Sequence, residues 1–252
     1  MAENKIAQAA AMLVAVRRGG PKLAGLGDAA PAGMAEAIAV QLAVMAGIGG
    51  TIGGYKCAAP PGKAATAAIM NGATVRPVSA ETWPMPREGR IGIETEIAFR
   101  LSRDLPGRAA PYSREEVLDA VAGAFPAMEM VESRYLDPSQ VGPMEALADC
   151  IAHGGLVCGA DVPGWRGMDL ANLPVKQTAG GAVQVEKIGG NPSLDPVLPL
   201  VWLANFLPSV GLHLQAGQVV TTGSCTGLLW VPGGQRVTGG FAGFGEVAVE
   251  LA

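Results

Sequence analysis

Two glutamates lie side by side in a stretch that otherwise reads as an apolar strand. Glu94 and Glu96 are two residues apart within Ile91–Phe99, so in a strand their side chains share one face and the apolar residues between them take the other. Two adjacent carboxylates repel each other, and at least one would take up a proton. Mg²⁺ or Mn²⁺ would remove this repulsion because hard cations prefer oxygen ligands. The alternative is an ordinary solvated strand face.

A third carboxylate occupies the centre of another apolar stretch, Ala127–Val131. Glu129 lies there between two methionines, where a charge is costly to bury unless it is paired or ligated. Glu129 is therefore a candidate for the third carboxylate of a metal site with the other two glutamates. The alternative is an outward-facing side chain on an edge strand.

One lysine ends a long uncharged stretch. Lys56 follows Gly53, Gly54 and Tyr55. A lysine near a cation or in an apolar pocket has a lowered pKa and can move protons near neutral pH. Without further context, a surface lysine explains the same pattern.

The segment Gly223–Gly227 has the spacing of a G-x-C-x-G nucleophile elbow around Cys225. Such an elbow leads from a strand into a helix, whereas an apolar strand pattern follows here. The histidines, His153 and His213, have no metal-ligand spacing. We therefore favour a tight loop whose N–H and hydroxyl groups bind an anion, with a Cys-His pair as the alternative.

The composition restricts the class of protein. Of the 252 residues, 49% are hydrophobic and 16% are charged, against about 25% charged in an average soluble domain. This excludes a disordered chain. The net charge of −4 gives no electrostatic basis for binding nucleic acid. The apolar stretches at residues 7–16 and 37–54 are interpreted as helices of the folded protein because neither has the flanking charges of a signal peptide or membrane anchor.

The four cysteines are widely spaced and form no C-x-x-C pair. We expect free thiols and a cytoplasmic protein, with two disulfides as the alternative. The cysteines are Cys57, Cys150, Cys158 and Cys225.

The pattern of elements predicts an α+β fold in a single domain, 1–252. Residues 1–52 form a helical region with a loop at 25–33, and residues 53–252 form a β-rich core. Within the core we predict a helix at 113–124 capped by Ser113, a helix at 196–207, and turns at Gly233-Gly234 and Gly239-Gly240. Strands are predicted at 91–101, 127–134, 155–160, 218–223, 227–231 and 247–251, with a hairpin at 173–186.

Taken in order along the chain, these segments resemble the 2-keto-4-pentenoate hydratase / 2-oxo-enedioate (4-oxalocrotonate) decarboxylase family of the fumarylacetoacetate hydrolase superfamily. The resemblance covers nearly the whole chain. It rests on the segments 53–56, 93–99, 104–106, 126–134, 202–205, 214–220 and 222–224.

The resemblance implies a mixed β-roll with an N-terminal helical region. It implies Mg²⁺ or Mn²⁺ on Glu94, Glu96 and Glu129, a pocket lysine at Lys56, and a substrate-lining loop at Thr222, Gly223 and Ser224. The implied substrates are small 2-hydroxy-2,4-dienoates of aromatic meta-cleavage pathways. The cation would chelate the C1 carboxylate and C2 oxygen, Lys56 would move a proton, and water would add at C4 to give a 4-hydroxy-2-oxo acid.

The chain departs from the family pattern at three places. The family's Asp-Phe-Gly-like stretch is replaced near Asn71 by residues without an acid, its Asp-Asn-x-Ser stretch has Cys150 in second place, and its Gly-His-Pro has Asn191. These changes leave two alternatives to a hydratase open, namely a 2-oxo-enedioate decarboxylase and a non-catalytic partner subunit of a hydratase–decarboxylase complex. A homo-oligomer is expected, with a complex with a paralogous subunit as the alternative.

Overall fold

The computed structural model describes residues 2–77 and 82–252. The helices predicted for the first 50 residues are present and pack against each other through small apolar side chains. The helices are α1 (Ala2–Arg17), α2 (Met34–Gly47), α3 (Arg114–Asp119), α4 (Pro143–Ala148) and α5 (Val197–Phe206).

The rest of the chain is mostly strand. The strands are β1 (Ile52–Ala58), β2 (Thr66–Asn71), β3 (Val75–Pro77), β4 (Thr82–Trp83), β5 (Arg90–Leu101), β6 (Val121–Val131), β7 (His153–Cys158), β8 (Pro174–Ala179), β9 (Ala182–Ile188), β10 (Val219–Ser224), β11 (Leu229–Pro232), β12 (Arg236–Phe241) and β13 (Gly245–Leu251).

The described strands form two sheets of mixed direction. The larger has the order β2-β1-β10-β5-β6-β7-β3, with β11 pairing the start of β5, and the smaller has the order β4-β13-β12-β8-β9. Most neighbours are antiparallel, but β1 runs parallel to β10, β3 runs parallel to β7, and β4 runs parallel to β13 in the smaller sheet. This confirms the predicted α+β class with mixed sheets.

Strand β5 lies at the centre of the larger sheet, and its two faces differ as its alternation predicts. Ile93, Thr95, Ile97 and Phe99 are fully buried on the face that packs against the smaller sheet and α5. The glutamates point to the opposite face. The hydrophobic core therefore fixes the orientation of the strand that presents them.

The helix predicted at 113–124 is wrong in its second half. Ser113 does cap α3, accepting a hydrogen bond from the Glu116 amide at 3.3 Å, but the helix ends at Asp119. From Val121 the chain pairs with β5. Tertiary pairing of a long strand outweighs the local helix signal here. The strand predicted at 127–134 likewise starts earlier and ends at Val131.

The turn predicted at Gly239-Gly240 is also wrong, because both residues lie inside β12. A Cβ atom on Gly239 would lie 2.2 Å from the Thr95 hydroxyl oxygen. Glycine is needed at this position because the two sheets approach each other closely, and no reversal of the chain is involved.

The four cysteines are free, as expected, and the structure places all of them in buried positions. Over residues 2–77 and 82–252, none of the helices is long and apolar enough to cross a bilayer.

Gly54 provides a test of the junction that places Lys56. Its φ is +155°, and a Cβ atom there would lie 1.8 Å from the Val219 carbonyl oxygen of β10. We expect Gly54→Ala to lower the free energy of unfolding by about 3 kcal/mol or more, measured by urea denaturation. The matched control is Gly167→Ala, whose Cβ would meet no described atom within 4 Å. Equal stability of the two variants would contradict this account of the β1–β10 junction.

Candidate metal centre and active site

The sheet register brings the three glutamates together. Glu94 and Glu96 point to the same face of β5, and Glu129 of β6 lies directly opposite Glu94. One carboxylate oxygen from each lies within 4.8 Å of the others. Glu96 and Glu129 are buried, and Glu94 is half-buried, so this cluster is not a solvated strand face.

Strand β10 supports Glu96 from one side. The Thr221 hydroxyl and the Gly223 amide both donate hydrogen bonds to Glu96 Oε2, the amide at 3.0 Å. Thr221 was not identified from the sequence, although it lies next to the Thr-Gly-Ser loop that was.

Glu129 is held by two side chains. Lys56 Nζ donates to Glu129 Oε1 at 2.6 Å, and His153 Nδ1 lies 2.9 Å from the same oxygen. Burial lowers the pKa of His153 despite the neighbouring carboxylate. A neutral imidazole beside an ionised carboxylate must donate from Nδ1, because the carboxylate only accepts. Sequence spacing gave no reason to select His153, since its contact with Glu129 depends on the pairing of β7 with β6.

The crowding of charge shifts the pKa of each group. Burial raises the pKa of Glu96 to about 8, and the charges of Glu129 and Glu94 add to the effect. Burial and Glu129 also raise the pKa of Glu94. For Glu129, burial is outweighed by Lys56 and His153, which lower its pKa. Burial alone would lower the pKa of Lys56, but the three carboxylates raise it. The lysine is therefore an ammonium ion, in contrast to the lowered pKa expected from the sequence.

These residues fit a divalent cation. Glu129 Oε2 is buried and has no hydrogen-bond partner in the described part of the chain, which is an energetically costly state for a carboxylate oxygen. Three carboxylates from two paired strands offer the oxygen ligands that Mg²⁺ and Mn²⁺ prefer. A cation held by Glu94, Glu96 and Glu129 would satisfy this oxygen and relieve the mutual repulsion.

A strained turn supplies a further contact to Lys56. Cys150, Ile151 and Ala152 all have φ between 51° and 56°, a region that costs roughly 1–2 kcal/mol for each non-glycine residue. The Ile151 carbonyl oxygen accepts a hydrogen bond from Lys56 Nζ at 3.1 Å. The turn thus fixes the second contact of the ammonium group.

Arg134 contacts both ends of this turn. Its guanidinium donates to the carbonyl oxygens of Asp149 and His153, at 3.0 and 2.9 Å, and forms an ion pair with the Asp149 side chain. Arg134 and Asp149 are both buried. The ion pair therefore joins the two ends of a strained segment that carries Ile151 and leads into His153.

The Thr222–Ser224 segment lies beside the cluster, but the Thr222 and Ser224 side chains make hydrogen bonds to different parts of the protein. The Thr222 hydroxyl is buried and donates to the Ile97 carbonyl at 2.8 Å. The Ser224 hydroxyl accepts from the Gly227 amide at 2.9 Å. Asn191 secures the segment by donating to the Thr222 carbonyl at 3.0 Å.

The Cys225 thiol is a poor nucleophile in this setting. It is buried, and burial together with Glu96 raises its pKa to about 12. The histidine nearest the cluster, His153, contacts Glu129. A Cys-His pair therefore has no support from the geometry.

Glu94 offers the cleanest test of cation binding because it is the least buried of the three. We expect Glu94→Gln to weaken Mg²⁺ binding roughly 100-fold, since one anionic ligand is lost, as measured by calorimetric titration. Glu132→Gln, which removes a carboxylate outside the cluster from the segment after β6, should leave the affinity unchanged. Unchanged Mg²⁺ affinity in the Glu94 variant would contradict the assignment.

The pKa of Glu96 predicts how stabilisation by metal depends on pH. Its pKa is raised from 4.5 to about 8 in the metal-free fold. Between these values the folded protein holds a proton that the unfolded chain has released, so the free energy of unfolding falls as pH rises. Mg²⁺ replaces that proton, and the increase in Tm with Mg²⁺ should be larger at pH 8 than at pH 6. In Glu96→Gln this difference should shrink. Equal increases in Tm at both pH values in the wild type would contradict the proposed exchange of the Glu96 proton for Mg²⁺.

Comparison with known proteins identifies the family. Residues 59–252 match the family described as fumarylacetoacetate (FAA) hydrolase C-terminal. The 2-hydroxyhexa-2,4-dienoate hydratase of Comamonas testosteroni is 30% identical over 158 residues, 63% of this chain and 59% of that protein. The 4-oxalocrotonate decarboxylase of Pseudomonas putida is 28% identical over 159 residues, also 63% of this chain and 59% of that protein. The matched region thus spans about three fifths of these relatives.

Solved structures share the fold. A 4-oxalocrotonate decarboxylase from Pseudomonas putida G7, complexed with magnesium and adipate, superposes with a TM-score of 0.82 at 22% identity, covering 100% of this chain and 98% of that one. A fumarylpyruvate hydrolase from Pseudomonas aeruginosa, in complex with Mn²⁺ and pyruvate, gives 0.61 at 15% identity, covering 79% and 88%. The family resemblance inferred from the residues is confirmed, and the chain belongs to the fumarylacetoacetate hydrolase C-terminal family.

Proposed function

We propose that this protein is a divalent-metal-dependent lyase that adds water to a 2-hydroxy-2,4-dienoate, giving a 4-hydroxy-2-oxo acid in aromatic meta-cleavage catabolism. The observation that carries this is the cluster of three carboxylates with Lys56 Nζ 2.6 Å from one of them. The names of the relatives, several of which are 2-keto-4-pentenoate hydratases at 26–30% identity, support the reaction class.

The glutamates define where the acid end of the substrate binds. A divalent cation bound there would supply Lewis-acid stabilisation of charge on the C2 oxygen of a 2-oxo or 2-hydroxy acid. Glu96 is fixed by Thr221 and Gly223, and Glu129 is fixed by Lys56 and His153. Such fixed ligands need little reorganisation when the substrate binds.

Lys56 is the group that we assign to proton transfer. Its side chain is only 12% exposed, and its ammonium group contacts the fully buried Glu129, so a proton on Lys56 is held next to the cluster. Hydration first requires the 2-hydroxyl proton to leave and a proton to reach the far end of the diene. Water then adds its oxygen at C4 and a proton at C3. A bound cation would offset the carboxylates, and the pKa of Lys56 would then fall toward the range useful for both transfers.

A decarboxylase acting on a 2-oxo-enedioate is the second candidate. Two relatives at 28% and 30% identity carry the name 4-oxalocrotonate decarboxylase. The family pattern has an acid near Asn71. In this chain the Asn71 side chain accepts a hydrogen bond from the Ala73 amide at 3.1 Å. Incubation with a dienoate and an enedioate, with CO₂ release followed against incorporation of ¹⁸O from water, separates the two reactions.

Assembly and location complete the proposal. Exposed apolar side chains at Leu194, Leu198, Leu228 and Trp230 support a homo-oligomer or a complex with a paralogous subunit. The free thiols support a cytoplasmic setting. If the chain is instead a non-catalytic partner, Mg²⁺ should bind weakly or not at all.

Replacing Lys56 separates proton transfer from cation binding. We expect Lys56→Met to lower kcat by about 10²- to 10⁴-fold without weakening Mg²⁺ binding, because the substitution removes a positive charge next to Glu129. Formation of the 4-hydroxy-2-oxo acid by the holoenzyme is followed by chromatography, and Mg²⁺ affinity by calorimetry.

Lys63→Met is the matched control, since Lys63 is exposed in the loop after β1. It should retain wild-type kcat. Wild-type turnover in the Lys56 variant, or turnover that survives EDTA, would contradict the proposed mechanism.

A further inference from the structure

A basic cleft lies beside the metal-binding cluster. Its volume is about 810 Å³. The described residues that line it include six cations and two acids: Arg17, Arg18, Lys22, Arg76, Arg87 and Arg134 against Glu88 and Glu132. Even when the buried partner Asp149 is counted with the acids, the cations are in excess in the described part of the chain. Such a cleft attracts anions.

A smaller cavity adjoins this cleft and reaches His153, whose ring contacts Glu129 of the cluster. It measures about 40 Å³ and shares Arg17, Asn71, Thr74 and Gly154 with the cleft. His153 lines only the smaller cavity. At about 10–15 Å³ for each water molecule, the cavity has room for a group the size of a carboxylate.

Arg17 is the cation common to both spaces. It ends α1, and its side chain is 20% exposed. One guanidinium nitrogen lies 3.2 Å from Asp149 Oδ1, while Nε is buried and has no hydrogen-bond partner among the residues described. A buried guanidinium N–H without a partner is costly, and a planar carboxylate is the group that best matches it.

We propose that Arg17 binds the second carboxylate of a dicarboxylic substrate whose 2-oxo acid end binds at Glu94, Glu96 and Glu129. This rests on the proposed function, which places the 2-oxo acid end. The substrate class is then a 2-hydroxydienedioate or 2-oxo-enedioate, and a monocarboxylic dienoate is disfavoured.

The proposed ion pair between Arg17 and the substrate's second carboxylate also bears on the choice of reaction. A carboxylate bound to Arg17 is stabilised as an anion in the ground state, and that interaction is lost if the carboxylate leaves as CO₂. The arrangement therefore favours hydration of a dicarboxylate, with both carboxylates retained in the product.

Two unreactive compounds of equal chain length test this assignment. 2-Oxoadipate and 2-oxohexanoate share the 2-oxo acid end and differ only in a distal carboxylate or methyl group. With saturating Mg²⁺, calorimetry should show that the wild type binds 2-oxoadipate at least about tenfold more tightly. Arg17→Gln should bring the two affinities close to equality while 2-oxohexanoate and Mg²⁺ bind as before.

Further variants make the result decisive. Arg17→Lys keeps the charge and should retain part of the preference, which also guards against misfolding of the Gln variant. Arg108→Gln breaks an exposed arginine–carboxylate pair, with Glu116, outside the cleft and should keep the full preference. Equal binding of both compounds by the wild type, or a preference that survives Arg17→Gln, would overturn the Arg17 assignment alone. Failure of both compounds to bind in the presence of Mg²⁺ would overturn the proposed function as well.

Discussion

Mutual repulsion among three carboxylates is the constraint around which this molecule is arranged. Their oxygens approach within 4.8 Å of one another in a largely buried setting, where charge–charge interactions are weakly screened. Each surrounding contact offsets part of this cost. The Thr221 hydroxyl and Gly223 amide donate hydrogen bonds to Glu96, and Lys56 and His153 donate hydrogen bonds to Glu129. One oxygen of Glu129 is still left without a partner in the described residues, and a cation bound there would offset the remaining repulsion.

The contacts to Glu129 depend in turn on a backbone that is not relaxed. Ile151 presents its carbonyl to Lys56 from a left-handed turn, and the residue after that turn is His153. The buried Arg134–Asp149 pair holds both ends of the segment. Strain of this kind persists only where the surroundings over-determine the conformation. The position of the Lys56 ammonium thus depends on Arg134 and Asp149 as well as on the two groups that it contacts.

Sequence periodicity was sufficient to predict the faces of β5, because alternation is a local property of a strand. It placed Glu94 and Glu96 together and gave Ile93, Ile97 and Phe99 to the core. The approach of Glu129 to Glu94 and Glu96 followed from the family resemblance, because the register between two strands cannot be predicted from either strand alone. The end of α3 at Asp119, the strand role of Gly239 and the contact of His153 with Glu129 all depend on pairing or packing between distant segments. Local signals could not supply them.

The two-faced character of β5 limits how this protein can change. The face opposite the glutamates is fully buried, so the strand cannot shift or twist without disturbing the packing of both sheets. The positions of Glu94 and Glu96 are therefore fixed by the same packing that forms the core. Asn71 at the end of β2, Cys150 before β7 and Asn191 before α5 stand outside that constraint. New selectivity can therefore evolve in the connections between elements while the strands keep the same underlying chemistry.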